Sequence, residues 1–233
     1  MAVSPRKAPG LAGRALLMTL TDVAPDDVEA FNAWYNREHI DDLLGLAGFR
    51  RARRYGAEMM RPRFMALYEV DDIAILTAPH YLDLLANQSP WSREIIGRFT
   101  YHRRICATVT VDLSRGVGGA AGLIHFRRPS DMDALRLFIS DRGIPAVIDR
   151  FGLHGGFLAE GDLDAVNAPI IRLGITLPQA SEPDCLLVVE GQSVGGTARG
   201  VDMLVSELTA HGFMGEPWLA GSYALFYANQ SPA

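Results

Sequence analysis

The apolar pattern opens at ALLMTLTDV, residues 15–23, a compact run that reads as a strand. Pro25 then starts a helix with Asp26 and Asp27 in its first turn, where the helix dipole favours acids. The helical spacing of apolar residues runs to about Leu46 and stops in the glycines at 45 and 48. Strands are predicted from Phe49 to Ala57 and from Arg63 to Val70. A helical region follows from about Ile73 to Phe99, broken at Asn87 to Pro90, and a strand from Tyr101 to Leu113. The order is βαββαβ, that of a ferredoxin-like unit with both helices on one face of an antiparallel sheet.

After the glycine-rich loop at Ser114 to Gly122 the pattern starts again. The strand GLIHF leads into a helix from Pro129 to about Arg150, and the strands GLHGGFLAE and CLLVVE follow. A helix from about Thr197 to His211 and the strand WLAGSYALFYA complete the second round. Setting Pro25 on Pro129, a shift of 104, lays the two helices together without a gap. Trp34 then meets Phe138, Ile40 meets Ile144 and Gly48 meets Gly152. The expected fold class is α+β, with two tandem ferredoxin-like units forming antiparallel sheets of the dimeric α/β-barrel type. Residues 1–13 are expected to be a flexible N-terminus, 14–114 the first domain, and 119–230 a second, divergent domain. The second copy carries an extra stretch, AVNAPIIRLGITLPQAS, between its middle strands.

Composition narrows the function. With 48% hydrophobic and 21% charged residues the chain has the apolar material for a packed core. A net charge of -5 and a pI near 5.7 argue against nucleic acid, where affinity comes from clustered Lys and Arg. The single basic run, FRRARRYG, is too short to change that. Cys106 and Cys185 lie in apolar strand-like runs without CxxC spacing and are expected as buried free thiols. The N-terminal residues lack an apolar signal core and no run is long enough to span a bilayer. A cytoplasmic protein with a small-molecule partner, away from membranes, is the expectation.

The chemistry gathers in WYNREHIDD, residues 34–42. At helical spacing Phe31, Tyr35 and His39 share one face, with Asp42 at its end and Glu38 beside it. A neutral imidazole can accept or donate a proton near pH 7, and Asp42 or Glu38 could fix its tautomer. The alternative is a helix-end histidine favoured by the dipole and bound to a carbonyl. The second copy places Ile139 opposite Tyr35, Arg142 opposite Glu38 and Gly143 opposite His39, so the cluster belongs to the first copy alone.

The helix end FNAWYNREHIDDLL, with GFRRARRYGA after it and FMALYEV and SPWSR further on, resembles the EthD-like group of dimeric α/β-barrel proteins over residues 14–112. Trp34, Tyr35, Glu38 and His39 match that group's motif, while Asp41 stands where proline is usual. The resemblance implies a barrel of two facing sheets with a small-molecule pocket inside, closed within one chain or between subunits, and a homodimer is expected. The wider superfamily holds cofactor-free monooxygenases, lactone isomerases, decarboxylases and cyclases, and haem enzymes.

Strand alternation puts Phe49, Arg51, Arg53 and Tyr55 on one face. Arg51, with Tyr55, is a candidate to hold a carboxylate or phenolate, and Trp91 to wall an aromatic pocket. His125 and His154 map to strands but lack metal-ligand spacing, so no metal and no cofactor are expected. The leading expectation is a cofactor-independent enzyme with His39 as acid/base and Asp42 or Glu38 orienting it. Its substrate would be a small aromatic, lactone or polyketide-like acid or phenol. A non-catalytic binding or assembly protein, or a haem protein, would be the alternatives.

Overall fold

The computed structural model describes residues 10–175 and 178–231. Eight antiparallel strands close a barrel. The first half supplies β1 (Ala15–Val23), β2 (Phe49–Gly56), β3 (Phe64–Val70) and β4 (Phe99–Asp112), and the second β5 (Ala120–Arg127), β6 (Leu153–Gly161), β7 (Asp184–Gly191) and β8 (Leu219–Gln230). Their order around the barrel is β1-β3-β2-β8-β5-β7-β6-β4, and β4 pairs with β1 to close it. Each half therefore lays its strands down in the same internal order. The halves join where β2 pairs with β8 and β4 with β6, so closure needs no second subunit.

Side chains alternate between the barrel interior and the helix layer, as strand geometry requires. Leu16, Met18 and Leu20 of β1 meet Leu123, Phe157, Leu186 and Val188 inside. An eight-stranded barrel is just wide enough for side chains to fill it, and this one is filled. The pocket implied inside the barrel is thus displaced, because the interior is a core.

At one end that core is charged. The buried Arg53 guanidinium pairs with Glu69 of its own half (2.8 Å) and with Glu190 of the other half. Arg51 makes two bonds of 2.8 Å to Glu69. Charges taken out of water survive only when paired in this way. Residues 1–9 of the expected flexible N-terminus lie outside the described residues. The next few are tied down, with the Leu11 amide on Asp112 (3.2 Å) and the Ala12 amide on Glu69 (2.5 Å).

Outside the barrel the first half carries α1 (Val28–Trp34), a π-turn (Tyr35–His39) and α2 (Ile40–Leu44) as one continuous helix, then α3 (Pro79–Ala86) and α4 (Pro90–Ile96). Asn87 leaves helical geometry, and Ser89 caps the next helix by accepting the Ser92 amide at 2.9 Å, with Pro90 in its first turn. The second half carries α5 (Met132–Phe138), another π-turn (Ile139–Gly143) and α6 (Ile144–Val147), then α7 (Leu163–Leu173) and α8 (Val194–Ala210). In each π-turn the bond runs five residues back, from the Ile40 amide to the Tyr35 carbonyl and from Ile144 to Ile139. The two turns lie 104 residues apart.

Helix α7 begins just before the extra stretch of the second half and fills most of its first part, capped by Asp162, whose side chain accepts the Ala165 amide at 2.8 Å. No helix among the described residues is long and apolar enough to cross a membrane. Both cysteines are free and buried.

Candidate functional site

A cavity of about 1440 Å³ lies between the helix layer and the sheet of the first half and runs on to the mouth of the barrel. Its floor is the outward face of three strands, with Leu17 and Thr19 from β1, Tyr68 from β3, and His102, Arg104 and Cys106 from β4. Trp34, Tyr35, His39 and Asp42 form one wall, and Tyr81, Leu84 and Leu85 of α3 another. The roof comes from the second half: Val166, Asn167 and Ile170 of α7 and the segment after it. Asn167 fixes that segment by bonding the Ala180 carbonyl (2.9 Å) and amide (2.8 Å).

The π-turn sets the aromatic wall. Closing the backbone five residues back brings residues five apart together, so the His39 ring stacks on Trp34 (centroids 4.3 Å apart, planes at 24°). The edges of Tyr35 (5.0 Å) and Tyr68 (6.2 Å) face it. Trp34 is itself anchored through its indole N–H to the Ser92 hydroxyl at 3.0 Å. That leaves the His39 nitrogens without a protein partner among the described residues. Burial, then the nearby Arg54 and His102, push its pKa down to about 3, and it is a neutral imidazole at pH 7.

Neither expected carboxylate reaches it. Glu38 turns away and accepts hydrogen bonds from the hydroxyls of Ser89 (2.5 Å) and Ser92 (3.0 Å), tying this helix to the start of α4. Asp42 is exposed at the cavity rim, its pKa raised by partial burial and by Glu38 and Asp41. Arg51 and Tyr55 do not share the cavity. A bulge between Phe49 and Arg51 shifts the alternation, so Phe49 faces the helices while Arg51, Arg53 and Tyr55 face the barrel interior. There the Tyr55 hydroxyl accepts from Arg53 at 3.0 Å. Trp91 packs against the first-half core and does not line the cavity.

Arg104 occupies the place expected for Arg51. One of its terminal nitrogens donates to the Ala165 (3.1 Å) and Val166 (2.9 Å) carbonyls of α7. Its buried Nε and other Nη make no well-aligned hydrogen bond among the described residues and interact only with the neighbouring Tyr81, the Tyr68 hydroxyl is placed in the same way beside Tyr35, and both side chains line the cavity. Buried polar groups are nearly always satisfied, so under-bonded groups facing a cavity mark where a ligand would bond. Burial keeps the phenols of Tyr35, Tyr68 and Tyr81 protonated, and Tyr35 shares a 3.2 Å hydrogen bond with Thr19. The strand FTYHRRICATVTVD held the signal for Arg104, because alternation places His102, Arg104 and Cys106 on one face. The roof held no such signal.

Among the described residues no cluster of three or more His, Cys, Asp or Glu could hold a metal ion. No protein-family profile and no curated protein matches the chain. Solved structures do. An anthrone oxidase-like protein aligns over 94% of this chain and 93% of its own, with a TM-score of 0.56 and 10% identity. A protein provisionally named a monooxygenase, from Fusobacterium nucleatum, aligns over 94% and 96% with a TM-score of 0.53 and 9% identity. A haem-binding protein from Thermus thermophilus aligns over 96% and 95% with a TM-score of 0.50 and 10% identity. At these identities what is shared is the fold alone, a closed antiparallel barrel with helices outside it.

Proposed function

We propose that the chain is a cofactor-independent enzyme acting on a small aromatic acid or phenol in this cavity. The observation that carries the reading is one aromatic-walled space holding both a neutral imidazole, His39, and a buried guanidinium, Arg104, whose Nε and one Nη make no well-aligned hydrogen bond. His39 takes a proton from a phenol or from carbon next to a carbonyl; the electron pair stays on the substrate as a phenolate or enolate, and Arg104 faces the oxyanion. The anion raises the basicity of the imidazole that it forms beside, which offsets the low pKa of the empty site. Proton return to another atom completes an isomerisation; where that atom is the carbon bearing a carboxylate, its bond then breaks with loss of carbon dioxide and the electron pair moves back to the oxyanion; and reaction of the anion with dioxygen gives an oxygenation.

The same reading takes residues 14–114 and 119–230 as diverged copies of one ferredoxin-like unit, supported by the shared strand order and the paired π-turns. It keeps the EthD-like relationship for the first copy on Trp34, Tyr35, Glu38 and His39.

The test is turnover of anthrone, 2-naphthol and hydroxylated aromatic acids by purified protein, followed by product chromatography and oxygen uptake. His39→Ala should lower turnover about 10²- to 10⁴-fold, the usual range for a general acid or base, with an unchanged circular dichroism spectrum. Arg104→Met should weaken binding of the acids more than of neutral analogues. Full turnover in His39→Ala sinks the assignment, ligand binding without turnover makes the chain a binding protein, and a Soret band in the purified protein makes it a haem protein.

A further inference from the structure

The pairing of histidine with carboxylate expected at His39 exists elsewhere. On β5 and β7, His125 and Asp184 point to the barrel side of the sheet, at the end where the interior opens into the cavity, and both line that cavity. Nε2 of His125 lies 2.8 Å from an Asp184 carboxylate oxygen, and the same oxygen accepts from Arg103 at 3.2 Å. The imidazole is 2% exposed. The Trp218 ring stands edge-on to it at 5.0 Å, with the Trp218 amide bonded to the His125 carbonyl at 2.9 Å. The Arg103 guanidinium sits 5.2 Å from the centre of the same indole. Gly161 seats the carboxylate, since a Cβ there would fall 2.0 Å from an Asp184 oxygen.

An ionised carboxylate on Nε2 places the ring proton on that nitrogen and leaves the Nδ1 lone pair as the acceptor. No described residue hydrogen-bonds Nδ1. We propose that His125, oriented by Asp184, is a second proton-transfer site that takes the acidic hydroxyl of a phenol or enol packed toward Trp218. The O–H bond breaks, the proton passes to Nδ1, and the electron pair stays on oxygen. The resulting imidazolium is matched by Asp184 and the oxyanion by the free donors of Arg103. This centre is separate from His39, and each can be removed with the other in place.

The probe is 4-nitrophenol, whose colour reports its ionisation, titrated into the protein at a pH where it is protonated in solution. His39→Ala, which lacks the other base, should still turn the bound probe to phenolate and quench tryptophan fluorescence. Adding His125→Gln to His39→Ala should remove the phenolate signal and weaken binding at least tenfold, and Trp218→Phe should remove most of the quench. Retention of the signal in the double variant, or its absence from His39→Ala, overturns the proposal. Nitrogen-15 spectra of histidine-labelled wild-type protein give a check that needs no variant. They should show one imidazole fixed with its proton on Nε2, whose Nδ1 resonance moves when 4-nitrophenol binds. A proton on Nδ1 in every buried ring would refute it.

Discussion

The two π-turns share a backbone and differ in what their side chains do. In the first half Tyr35 and His39 look onto open space, and the short helices α3 and α4, separated at Asn87, leave that space unfilled. In the second half Ile139 and Gly143 are buried, and the 17-residue helix α8 packs down onto them through Leu204. A Cβ on Gly143 would already lie 3.2 Å from Ile139 and 3.6 Å from Leu204. A π-turn thus directs a row of residues at the sheet without dictating a site. The covering helix and the bulk at two positions decide whether that row becomes a wall or a core.

That contrast can be strained at its joint, inverted or titrated. The largest effect is expected from Glu190→Gln, which takes from the buried Arg53 its partner across the halves. Removing one member of a buried ion pair costs about 3–5 kcal/mol. Denaturant unfolding should show that loss in a single transition, and two separate transitions would mean that the halves unfold independently. Next is Gly143→His, which writes the first-half residue into the second. With neighbours at 3.2 to 3.6 Å the ring overpacks, and a loss of about 2–3 kcal/mol is expected. A stable variant would mean that α8 can yield and that the closed half could become an open one.

A smaller loss, about 1–2 kcal/mol, is expected for Asn167→Ala, which cuts both bonds to Ala180. Its clearer sign should be faster amide exchange across residues 178–181, with His39 and its surroundings unchanged. The mildest test is pH. His39 stays neutral in the folded protein down to about pH 3, while in the unfolded chain it takes a proton near 6.5. His102, lowered to about 4 by burial and by Arg104, behaves alike. The unfolded state binds more protons in that window, so stability falls as pH drops from 6.5 toward 3. Melting temperatures of His39→Ala should decline less over that range than those of the wild-type protein.

The strands and the paired helices were legible because apolar spacing and the signals at Pro25 and Ser89 act locally, although the second-half helix starts at Met132 behind its cap Asp131 and not at Pro129. The aromatic cluster Phe31, Tyr35 and His39 was legible for the same reason. Arg51, Arg53 and Tyr55 do share a face, as alternation predicts, and the bulge removes only Phe49 from it; Arg51 is lost to the site because that face is the filled barrel interior, where Glu69 takes its donors, while the cavity lies on the other side of the sheet. The orienting role given to Glu38 failed through tertiary contact, since the two serines of α4 hold that carboxylate. Helix α7 was hidden by Pro169 inside it and by its absence from the first half. His125 and Asp184 stand 59 residues apart on paired strands, a separation at which spacing carries no information.

The roof has one further consequence. The cavity built by the first half is covered by a segment that only the second half possesses, and Arg104 is bonded to it. A gene cut between the halves would therefore release a first unit with an uncovered site. Conversely, exchanging residues 163–181 alone should move ligand preference between relatives of this protein while leaving His39, His102 and Arg104 where they are. The half without a counterpart of His39 thus supplies the surface that outlines the ligand.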